Sequence, residues 1–252
     1  MVVVRNRKRG WHGAGLVSTF GAAAAAGHLL GLSEERMVWA LGMAGTQSSG
    51  LWAFLEDGAS CKKLHPARAA VNGLTAAILA KAGMSGPEHI LDAKDGGLYR
   101  AVSDSYDMSI LTRGLGDTYE ILNIDKKPYP CCRTTHHAID AALALRHELN
   151  LEKIRNIQVE TYEVGVLQCG SSKYPDTPVE AKFSIPYTVA AALARGRISQ
   201  TEFTEEVLND PEVRTLAQKV VVIANSMFSE RYPKRWGSRM TVELEDGQML
   251  VH

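Results

Sequence analysis

The chain has 252 residues, 45% apolar and 22% charged, and its 28 basic side chains balance 28 acidic ones. That is long enough for one large domain or two modest ones. The charge balance gives no net field to recruit nucleic acid or an anionic membrane. No apolar run of about eighteen residues reads as a membrane span. The first residues place basic groups after a very short apolar run, the reverse of a secretory signal, so a cytoplasmic protein is expected.

Ala14 to Gly31 reads as a helix packed on several sides, with five consecutive alanines and a glycine stop. Ser33 is an N-cap with acids in the turn after it, and Met37, Leu41 and Ala44 continue at helical spacing. The next helix runs from about Ala67 to Lys81 and stops at Gly83. Short helices follow at Glu88 to Leu91, after the Ser85-Gly86-Pro87 turn, and from Gly96 to Tyr99.

Character changes near residue 118. Tyr119 to Ile124 reads as a strand, and Lys127-Pro128-Tyr129-Pro130 as a rigid connection, since proline fixes φ and biases the residue before it away from helix. A helix is expected from Thr134 to Leu149 and an alternating strand from Ile154 to Tyr162. Helices are expected at Ser184 to Ala194, Thr201 to Leu208 and Asp210 to Val220. A last strand covers Met240 to Leu244, with a hairpin turn at Asp246-Gly247 and room for a returning strand. The expected fold is mostly helical: an all-helical domain at 1–122 and a smaller α+β domain with an antiparallel sheet at 123–252.

Four places carry groups suited to chemistry. Lys62, Lys63 and Arg68, with His65 among them, put three fixed cations and an imidazole into seven residues at the start of a helix. Exposed N–H groups there add positive potential, a suitable place for a molecule with several carboxylates; a solvated basic turn is the plainer reading. His12 stands between Gly10 and Gly13, where a substrate can approach the backbone, or is simply structural. Lys127 is followed by Arg133, His136 and His137, which otherwise form a surface turn and a helix face. Tyr187 follows Pro186 on an apolar helix and is otherwise a core tyrosine.

Cys61, Cys131, Cys132 and Cys169 form no Cys-x-x-Cys pair, and buried thiols are expected rather than a zinc site. The run Arg5 to Arg9 is read as a solvated arm or pocket rim rather than a nucleic-acid contact. There is no P-loop, dinucleotide fingerprint, nucleophile elbow or His-Glu-x-x-His. Cations, imidazoles and a phenol without clustered carboxylates suit metal-free proton chemistry α to a carboxylate. A histidine can move the proton there, and a lysine packed among cations can also act as acid or base.

At these residues the chain resembles the MmgE/PrpD family, which includes 2-methylcitrate dehydratase and cis-aconitate decarboxylase. The matching stretches are Gly10-Trp11-His12 with the alanine run from Gly21; Ala40-Leu41-Gly42-Met43-Ala44-Gly45; Lys62-Lys63-Leu64-His65; and Gly83-Met84-Ser85-Gly86-Pro87. Lys127-Pro128-Tyr129-Pro130-Cys131-Cys132 with His136 follows, and then Glu180 to Tyr187. The resemblance implies a helical domain with a smaller α+β lid, an active site in the cleft between them, no metal or other cofactor, and a homodimer. It implies a lyase that abstracts a proton α to a carboxylate of a di- or tricarboxylic acid and expels water. His12, Lys62, Lys127 and Tyr187 are its expected catalytic groups, and Lys63, His65, Arg133 and His136 its expected substrate contacts.

Family members are longer at both ends, so the chain reads as a central part, with a partner chain that supplies the missing helices, or a catalytically silent fragment, as alternatives. Cys132 stands where decarboxylase-type members carry histidine, which weighs against decarboxylation. An epimerase or isomerase shares the same first step.

Overall fold

The computed structural model describes Asn6 and residues 9–252. The chain divides into two compact units, Met1–Leu122 and Asn123–His252. Arg5, Arg7 and Lys8 of the N-terminal basic run lie outside the described residues. Arg9 donates to the Ala101 carbonyl at 3.2 Å and pairs with Asp104.

The first unit is helical: α1 (Gly13–Leu29), α2 (Glu34–Thr46), α3 (Leu64–Lys81) and the short α4 (Leu98–Val102). The first three pack against one another around Ala23, Ala40, Met43, Ala44, Ala76, Ala77 and Ala80. Side chains this small bring helix backbones close together, and Gly73 of α3 lies directly against Ala22 and the Thr19 carbonyl of α1. Ser33 caps α2, its Oγ accepting from the Arg36 amide at 3.4 Å. Helix α3 begins at Leu64 rather than Ala67. Pro66 is absorbed into its first turn, where a missing N–H breaks no intrahelical bond.

Two expectations fail here. Residues 88–91 form a turn rather than a helix. The expected strand at Tyr119 to Ile124 holds instead a 3-10 turn, Glu120–Asn123, with Tyr119, Ile121, Leu122 and Ile124 exposed. Among the described residues no strand pairs with it, and without a ladder to join a single strand gains nothing.

The second unit wraps helices around a four-stranded sheet of order β2-β1-β3-β4: β1 (Ile154–Thr161), β2 (Val220–Ala224), β3 (Ser238–Leu244) and β4 (Met249–Val251). Its longer helices are α5 (His136–Leu145), α6 (Glu163–Cys169), α7 (Ile185–Arg195) and α8 (Pro211–Gln218). Helix α7 is buried from Ile185 to Leu193 and packs on α5, α8 and β2. Ser184 caps it, accepting from the Tyr187 amide at 2.9 Å, and Gly196 ends it at φ +67.

The hairpin at Asp246-Gly247 forms and β4 returns along β3, Val242 opposite Leu250. The sheet is not purely antiparallel: β2 runs parallel to β1, Val159 opposite Val222. The sequence reading ran the preceding helix to Val220, but the helix stops at Gln218. The β-branched run Val220-Val221-Val222-Ile223 prefers the pleated surface.

Candidate functional site

In the first unit, a short antiparallel bridge pairs Trp11 with Leu51. Its hydrogen bonds run from the His12 amide to the Gly50 carbonyl at 3.0 Å and from the Trp52 amide to the Gly10 carbonyl at 2.8 Å. The bridge sets His12 immediately before α1, facing the first turn of α3. There His65 meets it, and the two rings approach Nδ1 to Nδ1 at 2.7 Å. Gly50 makes this approach possible. Its φ of +110 is left-handed, and a β-carbon there would stand 3.2 Å from His65 Nδ1.

Aromatic rings enclose the pair. Trp52 meets His12 edge-on at 5.1 Å, and the buried Phe54 lies 5.8 Å from His12 and 5.7 Å from His65. Lys62 and Lys63 lie in the 3-10 turn Ser60–Lys63 that leads into α3. Lys62 is half-buried and Lys63 and Arg68 are exposed. His12 and His65, from separate motifs, are therefore in contact, with the cations one turn of chain away. The sequence reading missed Gly50, Trp52 and Phe54. The signal available was Gly-Leu-Trp-Ala-Phe, a glycine followed by two aromatics spaced by one residue.

In the second unit, the Cys132 amide donates to the Lys182 carbonyl at 2.8 Å, and Lys127 Nζ donates to the Cys131 carbonyl at 3.1 Å. Arg133 donates to His137 Nε2 at 3.3 Å and lies over the Trp236 ring at 5.7 Å. Trp236 belongs to an aromatic stack with Tyr162 and Tyr232, and the Tyr162 hydroxyl donates to Thr134 Oγ1 at 3.1 Å. A hydrogen bond from Cys169, then amide and hydroxyl contacts of Thr134 and the Lys127 charge, hold the Cys132 thiol down at about 6 against its burial. Burial pushes the Cys131 thiol up to about 11. All four cysteines are thiols.

Two expected site residues are not surface groups. His136 is fully buried, and among the described residues neither ring nitrogen meets a partner at full hydrogen-bond geometry. Burial and the Arg133 cation push it down to about 4, so it is a neutral core ring edge-on to Tyr129 at 5.2 Å. Tyr187 is also fully buried. Its hydroxyl donates to the Glu202 carbonyl, and burial raises its pKa. Apolar neighbours on α7 carried its ring into the core. Lys127 is exposed and Arg133 half-buried, each held by the contacts above.

Among the described residues no three His, Cys, Asp or Glu side chains are disposed to hold a metal, and no helix is long and apolar enough to cross a membrane.

A small-residue helical unit carrying a caged histidine pair, followed by an α+β unit, matches one family along nearly all of its length. The MmgE/PrpD N-terminal domain matches residues 1–111 and the MmgE/PrpD C-terminal domain residues 129–252. The chain belongs to the MmgE/PrpD family. It is 28% identical to a cis-aconitate decarboxylase of Aspergillus terreus over 96% of this chain and 53% of that protein. It is 31% identical to the cis-aconitate decarboxylase of Mus musculus, over 83% of this chain and 44% of that protein. A mitochondrial 2-methylcitrate dehydratase of Yarrowia lipolytica is 26% identical over 88% of this chain and 45% of that protein. The chain thus spans about half the length of the curated relatives it matches.

Proposed function

We propose that this chain carries the proton-transfer machinery of a lyase acting on a di- or tricarboxylic acid. The carrying observation is the His12–His65 pair, caged by Trp52 and Phe54 beside the Lys62–Arg68 cations. Lysine ammonium groups attract the substrate's carboxylates and offset the negative charge that builds when an α-carbon loses its proton. An imidazole of the pair takes that proton. No step requires a metal, because the cations perform the charge stabilisation a Lewis acid would otherwise supply. The assay is carbon NMR of the purified protein with labelled 2-methylcitrate, citrate and cis-aconitate. Appearance of an alkene with loss of water supports dehydration, and no change with any of the acids contradicts the lyase reading.

The decarboxylase outcome stays in that experiment because relatives named cis-aconitate decarboxylase reach 28% and 31% identity, against 26% for the named dehydratase. Cys132 weighs the other way. It stands where the family resemblance places a histidine in decarboxylase-type members. Labelled carbon dioxide released from cis-aconitate decides for decarboxylation.

A second reading rests on α3. Leu64, Val71, Leu74 and Ile78 repeat at helical spacing on its outer face and are exposed, while its other face is the packed one. On this reading turnover needs that stripe covered by further polypeptide, either a second copy of this chain or a partner corresponding to the relatives' additional length. Sedimentation across a concentration series tests it: a monomer active at every concentration contradicts it.

A further inference from the structure

We propose that His12 and His65 form a two-imidazole proton relay, an inference that deepens the lyase reading and rests on it. At an Nδ1···Nδ1 distance of 2.7 Å the two nitrogens share one proton. Two protonated nitrogens would face each other N–H to N–H, and two bare ones lone pair to lone pair. One ring therefore carries Nδ1–H and a bare Nε2, while the other accepts at Nδ1 and carries its proton on Nε2. The pair presents one base and one acid at its outer nitrogens.

A proton leaving an α-carbon forms an N–H bond at the bare Nε2. The Nδ1–H bond of that ring breaks as the second ring's Nδ1 gains the proton. The second ring's Nε2–H bond then breaks towards an acceptor, such as a departing hydroxyl. The pair's charge is the same before and after, and only the tautomers have exchanged. A single histidine would have to turn over between taking and giving a proton; the pair need not.

The surroundings suit this division. His12 immediately precedes α1 and His65 lies in the first turn of α3. Two helix N-termini and the cations Lys62, Lys63 and Arg68 therefore act against a positive charge on the pair and favour the two neutral tautomers. Trp52, Phe54 and the bare α-carbon of Gly50 pack against the rings, so neither is free to swing away.

The test is independent of turnover. Nitrogen-15 NMR of the full chain near pH 8 reads imidazole tautomers from long-range proton–nitrogen couplings, with His12→Gln and His65→Asn to assign the signals. The expected result is one ring as the Nδ1–H tautomer and the other as Nε2–H, with a slowly exchanging Nδ1 proton. Both rings as Nε2–H would overturn the relay whether or not the protein turns over any acid. In an active preparation, His65→Asn supplies an amide that still donates to His12 but passes no proton on. Loss of α-proton exchange by about 100-fold or more, with KM within about twofold, is expected, and unchanged exchange would overturn the relay. A protein inactive on every acid contradicts the lyase reading and leaves the tautomer measurement to decide the relay.

Discussion

Gly73 of α3 lies so close to Thr19 of α1 that a β-carbon on residue 73 would stand 2.5 Å from the Thr19 carbonyl oxygen. That oxygen is backbone and cannot rotate aside. Gly73→Ala is expected to lower unfolding free energy by about 1–3 kcal/mol, the range for overpacking a close-packed interior. A urea midpoint equal to wild type would show that α1 and α3 are not packed this tightly.

Tyr187 is expected to be a stability residue rather than a proton donor. Its hydroxyl is buried and committed to the Glu202 carbonyl. Tyr187→Phe removes one hydrogen bond and leaves the ring, a loss of about 1 kcal/mol, and turnover should stay within about twofold. A folded Tyr187→Phe variant that loses about 100-fold in turnover would return the tyrosine to the chemistry.

His136 gives the protein a dependence on pH. Burial, with the Arg133 cation, pushes the folded ring down to about 4, whereas an exposed histidine titrates near 6.5. Between those values the unfolded chain binds a proton that the folded one refuses. The stability His136 contributes is therefore full above about pH 6.5 and is lost as pH falls towards 4. The ceiling is about 3 kcal/mol. His137 is shifted down for the same reasons and adds in the same direction. His136→Phe keeps the ring and removes the titration, so its denaturation midpoint should fall less between pH 7.5 and pH 5 than wild type's does. Equal falls would contradict the assignment.

The elements read most securely in the sequence are those with local chemistry behind them. Ser33 caps the helix expected of it, a helix forms where Ser184 to Ala194 was expected, and Asp246-Gly247 turns the hairpin. The strand β2 escaped because a short β-branched run following a helix is assigned by its partner, and β1 lies more than fifty residues earlier in the chain. The site divides in the same way. Residue type pointed to His12 and, separately, to the Lys62–Arg68 cluster that holds His65. Their meeting depends on a bridge between Trp11 and Leu51 and on a left-handed Gly50, which are tertiary facts with no local periodicity. The family resemblance puts Tyr187 and His136 among the site groups; the apolar helix around Tyr187 already offers a core tyrosine as the plainer reading, whereas His136 reads as part of a helix face and is buried.

The central claim is that the His12 cluster removes a proton α to a carboxylate. The most direct measurement is deuterium incorporation from heavy water into citrate, 2-methylcitrate and related acids, followed by NMR for wild type, His12→Ala and Lys62→Ala. Exchange by wild type that falls by about 100-fold in His12→Ala and at least about tenfold in Lys62→Ala is the predicted result. Exchange that proceeds at the wild-type rate in both variants, with the fold intact, would contradict the account.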